Sequence, residues 1–175
     1  MKLTWFGGTT FRVYLGGEIV VVDAQRAPAG VDRGELLAGA DRVVALAGDA
    51  AVPSIDAAAW RPKAVRPMDE QPPAEILGIG PSALLIAAAG EPPLVVLGSG
   101  EPPRFGRWAD GAVVVLTSGR DSFVAEATVL LDVARPRLVA LAADEQMLDL
   151  AIEELSEHLD GAGLVSLEPG LALEV

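Results

Sequence analysis

Short apolar runs broken by paired glycines open the chain: Leu3-Thr4-Trp5-Phe6, then Gly7-Gly8, then Thr10-Phe11-Arg12-Val13-Tyr14-Leu15, then Gly16-Gly17, then Glu18-Ile19-Val20-Val21-Val22-Asp23. β-branched and aromatic runs divided by Gly pairs predict strands joined by tight turns, because glycine supplies the positive φ such turns need. Trp5 and Phe11 fall on the core side of this meander. From Ala24 to Gly39 the composition turns to Ala, Pro, Gly and charge, with room for one helical turn over 31–37. The continuous apolar run Arg42 to Ala47 predicts a buried strand. Pro53, Pro62, Pro67, Pro72 and Pro73 then exclude long regular elements. Strands resume over 75–80, 83–88 and 93–97, the last two forming a hairpin, and again over 112–116.

The final third changes period from two to about 3.6. Asp121 or Ser122 can cap a helix from Phe123 to Ala134, with Val124, Ala127, Leu130, Leu131 and Ala134 on one stripe. After the strand 137–142, Asp144 caps a second helix through Leu159. Leu148, Ala151, Ile152, Leu155 and Leu159 form its apolar face, Glu153, Glu154 and Glu157 its polar one, and Gly161 its stop. Strand-like alternation returns over 164–167 and 171–174. Strands in two clusters with helices covering them make an α/β (α+β) protein.

The length of 175 residues fits one domain spanning 1–175. Hydrophobic residues make up 51% and charged ones 22%, a composition that folds. With 13 basic and 25 acidic residues the formal charge is −12, which argues against nucleic acid and membrane surfaces as partners. Cysteine is absent, so disulfides, thiolate metal sites and cysteine nucleophiles are excluded. The first residues run directly into strand pattern with no targeting segment, so the expected location is the cytoplasm.

The opening strands with their Ile19-to-Asp23 ending, the segment Ala40-Asp41-Arg42-Val43-Val44, the strand end Leu94 to Gly100 and the later Pro136-Arg137-Leu138-Val139 occur in an informative order. Together they resemble the metallo-β-lactamase-fold hydrolases of the L-ascorbate-6-phosphate-lactonase-like branch. The resemblance implies a four-layer αββα sandwich, here shortened, and a site of one or two metal ions held by His and Asp at strand ends. The positions that would hold those ligands are Gly8, Ala47, Asp49, Ala51, Val52, Ser99 and Ala143, so the family's His-x-His-x-Asp-His motif is lacking. Among these, Asp49 alone is a metal-binding type. His158, the single histidine, sits late on the last helix, where a solvated structural role is expected.

These residues predict a degenerate member of the fold with no catalytic residues and no cofactor, leaning away from an enzyme and toward a binding or assembly module, including a homo-oligomer. A second reading rebuilds a hydrolase site from Asp23, Asp49 and Asp56 around a divalent cation. A third is an anionic small-molecule binder using Ser99 in the Gly98-Ser99-Gly100 turn with Arg104 and Arg107, beside Phe105 and Trp108. Ser118, in the similar strand end Thr117-Ser118-Gly119-Arg120, and Ser99 lack a neighbouring base, which argues against a serine nucleophile.

Overall fold

The computed structural model of the chain describes residues 1–64, 72–117 and 123–175. Among them the element order is β1 (Lys2–Gly7), β2 (Thr10–Leu15), β3 (Glu18–Val22), α1 (Arg33–Leu37), β4 (Arg42–Val44), β5 (Glu75–Gly80), β6 (Ala83–Ala87), β7 (Leu94–Leu97), β8 (Val113–Leu116), α2 (Phe123–Val133), β9 (Leu138–Leu141), α3 (Glu145–Ser156), β10 (Gly163–Ser166) and β11 (Ala172–Glu174). The meander β1-β2-β3 is antiparallel as its glycines predict. Gly16 and Gly17 alone join β2 to β3, at φ 61° and 83°, values a two-residue hairpin asks of both positions and that suit residues without a Cβ.

The described strands make two sheets, one of five in the order β11-β1-β2-β3-β4 and one of six in the order β10-β9-β8-β7-β6-β5. In the second, β7 to β10 run parallel while β5-β6-β7 are antiparallel. The sheets pack face to face through Leu3, Phe11, Val13 and Val22 on one side and Leu84, Ile86, Val96 and Val113 on the other. Behind the six-stranded sheet, Leu85, Val95, Val114 and Leu141 meet Ala127 and Leu130 of α2 and Ala151 and Leu155 of α3. Strands covered on both faces read as unbroken apolar runs, which is why β6, β7 and β8 are buried at every position. Among the described residues the outer face of the five-stranded sheet carries α1 and the short helical turn Ala24–Arg26, with Leu36 packed on Val21 and Ala24. The result is the expected four-layer αββα sandwich with one thin outer layer.

Three expectations change. The run 42–47 is an edge strand of three residues: β4 pairs with β3 only, and Val43 is 52% exposed. It reads as buried because its sheet position is fixed by pairing with β3, some 22 residues away in sequence. Helix α3 stops at Ser156, before Leu159, and Ile152 on its presumed apolar face is 40% exposed, so Ala151 and Leu155 carry the packing. Its cap is as predicted, Asp144 Oδ1 accepting from the Met147 amide at 3.0 Å. Gly161, at φ 92°, belongs to the turn before β10. The proposed caps of α2, Asp121 and Ser122, lie outside the described residues.

Candidate functional site

The C-terminal ends of β1, β3 and β4 meet those of β7 to β10 at one end of the sandwich, the end where parallel sheets place ligand sites. Asp23 follows β3 directly, 5% exposed, with φ 50° and ψ 42°. Its Oδ1 accepts from the Leu46 amide at 3.0 Å and its Oδ2 from the Thr9 hydroxyl at 2.5 Å. Its own amide donates to the Val44 carbonyl at 2.8 Å, and its carbonyl accepts from the Thr10 hydroxyl at 3.1 Å. One aspartate thus ties together the β1–β2 turn, the end of β3 and the loop after β4.

Asp49 closes that loop on itself, accepting from the amides of Ala45 and Ala51, both at 2.9 Å. The Ala45 amide first, then that of Ala51, holds its carboxyl below the ordinary carboxylate value against a small opposing effect of burial. Asp23 and Asp49 therefore converge on the Ala45-Leu46 link. Asp56 does not join them: it accepts from the Ala58 amide at 3.0 Å, a local turn leading to Trp60. Among the described residues no three His, Cys, Asp or Glu side chains gather where they could hold a metal ion. The carboxylate triad of Asp23, Asp49 and Asp56 is not assembled.

The Gly98-Ser99-Gly100 turn does not offer its flanking amides to an anion, because the protein already fills them. The Gly98 amide donates to the Ser82 carbonyl at 2.7 Å, and the Gly100 amide to Oε1 of buried Glu126 at 3.1 Å. Ser99 is exposed beside a crevice of about 20 Å³ whose described lining holds neither Arg104 nor Arg107. Those arginines sit on an exposed loop anchored by Trp108. Its ring meets Trp60 edge-on at 5.0 Å and Phe105 at 5.9 Å, and its indole N–H donates to the Ala57 carbonyl at 2.7 Å. Ser99, Arg104 and Arg107 do not converge, and the aromatics near them are core. His158 is exposed past the end of α3, its Nδ1 3.1 Å from the Glu154 carbonyl. Ser118, Gly119 and Arg120 lie outside the described residues.

The site that does form is a cleft of about 880 Å³ at the ends of β1, β8, β9 and β10, under the first turn of α3. Gly8 and Ala143 line it together with Trp5, Thr117, Met147 and Leu167. The other positions singled out for ligands sit apart: Asp49 and Val52 border a depression of about 270 Å³ beside β5, and Ala51 faces an open groove between β4 and β5. Of the cleft's lining, Gly8 and Ala143 are the two positions the family resemblance marks for metal ligands. Thr117 was recoverable as the residue just past the buried strand β8 and Leu167 as the end of a strand-like run, whereas Trp5 carried only a core signal and Met147 none.

No protein-family model and no curated protein matches the chain by sequence. Solved structures match it by shape. A metallo hydrolase from the hyperthermophilic archaeon Ignicoccus hospitalis superposes with a TM-score of 0.60 at 15% identity, covering 99% of this chain and 98% of that one. The chain shares the fold of that metallo hydrolase. Isothiocyanate hydrolase from Delia radicum gut bacteria is similar in the same way, with a TM-score of 0.59 at 13% identity over 100% of this chain and 99% of that chain. Likeness at these identities carries the metallo-hydrolase fold and leaves chemistry to the residues present. Among the described residues no helix is long and apolar enough to cross a membrane.

Proposed function

We propose that the chain is a metallo-hydrolase-fold protein that has given up the fold's metal chemistry and acts as a binding module, holding a small ligand in the cleft between β1, β9 and α3. The observation that carries this reading is the engagement of the strand-end carboxylates. Asp23 and Asp49 together accept four hydrogen bonds from Leu46, Thr9, Ala45 and Ala51. These bonds fix both carboxylates in loop-shaping roles, and among the described residues no third carboxylate, imidazole or thiolate gathers beside them to complete a cation site. The remaining donor set does not suit zinc either. The chain has no cysteine, and its one histidine is exposed past α3. At Gly8 and Ala143, where the resembled hydrolases carry ligands, the side chains are a hydrogen and a methyl group, and the room they leave belongs to the cleft.

A fragment screen read by thermal shift tests this. Fragments that stabilise the protein should do so equally with excess chelator, and Ala143→Trp, which adds an indole to the cleft wall, should abolish the shift while leaving the unliganded melting temperature within a few degrees. Stabilisation that disappears with chelator, or that survives Ala143→Trp, contradicts the reading.

A further inference from the structure

We infer that the cleft takes an organic cation with an apolar body, an inference that rests on the cleft being the ligand site and adds the sign of the ligand's charge. The cleft floor is apolar, with Trp5, Ala142 and Leu167 buried and Met147 and Leu148 half-buried. Its rim is anionic: Asp144, Glu145 and Glu168 are exposed there, and neither glutamate has an ion-pair partner among the described residues. No Lys or Arg belongs to the described lining.

Several donors in the walls are already engaged. The Trp5 indole N–H donates to the Gly8 carbonyl at 2.9 Å, the Thr117 hydroxyl to the Leu97 carbonyl at 2.9 Å, and the Met147 amide to Asp144 Oδ1 at 3.0 Å. The Ser166 hydroxyl, the amides of Gly8, Ala143 and Glu168 and the leading amides of α3 remain, the last amounting to about half a positive charge. Three carboxylates outweigh that. A carboxylate or phosphate ligand would enter a negative field. An ammonium or guanidinium head at the rim gains from all three charges, while its hydrocarbon covers the Trp5–Leu167 floor. A volume of about 880 Å³ suits a small organic molecule, whose sites run from roughly 300 to 1,000 Å³.

Benzylammonium, benzyl alcohol and benzoate differ in charge at near-equal size and serve as probes, titrated into nitrogen-labelled protein and followed by amide chemical shifts. Benzylammonium should perturb Gly8, Ala143 and Leu167 and bind about a hundredfold more tightly than benzoate, because the charges that attract the one repel the other. Glu145→Gln with Glu168→Gln should weaken it about tenfold, each exposed carboxylate some 5 Å from the charge being worth three- to fourfold in water. Should the double variant misfold, wild type serves: raising salt from about 20 mM to about 500 mM should weaken benzylammonium and leave benzyl alcohol unchanged. Equal perturbation of the cleft by all three probes overturns the charge inference and leaves the cleft as the site. No cleft perturbation by any probe overturns both.

Discussion

Replacing Asp23 distinguishes a structural staple from a metal ligand. Asp23→Ala removes both acceptors of a side chain that is 5% exposed. The Leu46 amide, on a residue 3% exposed, loses its acceptor, and an unsatisfied buried donor costs about 1–3 kcal/mol. The Thr9 hydroxyl is only half-buried and can turn to water, adding little. Position 23 also sits at φ 50° and ψ 42°, a region aspartate tolerates better than alanine, which adds about 1 kcal/mol. The total is about 3 kcal/mol, and in a chain of this length that lowers the melting temperature by about 6–12 °C. Asp23→Asn keeps an oxygen for Leu46 and the same backbone tolerance, and Thr9 can reverse its hydroxyl toward the new amide, so its cost is about 1 kcal/mol or less. Urea titration followed by circular dichroism reads both variants. A loss under about 1 kcal/mol for Asp23→Ala, or an Asp23→Asn as damaging as the alanine variant, would refute the staple.

Trp108 anchors the loop that carries Arg104 and Arg107, so Trp108→Ala should cost about 3–5 kcal/mol in thermal unfolding. Trp108→Phe, which deprives the Ala57 carbonyl of its donor, should cost about 1–2 kcal/mol, and a near-neutral alanine variant would contradict the packing described. The Asp49 carboxyl is held below its ordinary value by the Ala45 and Ala51 amides, so the fold favours its ionised form. Its contribution to stability is fully present above the ordinary carboxylate range and is lost as pH falls through the lowered folded value. Wild type should therefore lose stability more steeply on acidification than Asp49→Asn, and parallel unfolding profiles between about pH 6 and about pH 3 would contradict it.

The strands of the six-stranded sheet were legible because burial on both faces writes Val, Leu and Ile at every position, as in β7 and β8. The meander was legible because Gly16 and Gly17 mark its turn locally. What sequence could not supply is non-local. Whether Arg42-Val43-Val44 is an edge depends on which strands come later. Whether Asp23 is free for a ligand depends on Leu46, 23 residues on, and whether the Gly100 amide is free depends on Glu126, 26 residues on. The cleft draws its walls from five separate elements, so its parts carry no shared spacing that a linear reading could detect. The scarcity of imidazole and the absence of thiolate, by contrast, need only counting: one histidine and no cysteine.

The central claim, that this metallo-hydrolase fold works without its metal, is tested most directly by elemental analysis. Protein purified without chelator is measured as isolated, and again after incubation with zinc, manganese or magnesium followed by desalting. The account predicts well under one equivalent of any metal in every sample. One equivalent retained through desalting, and lost in Asp23→Asn or Asp49→Asn, would contradict it and make those carboxylates ligands.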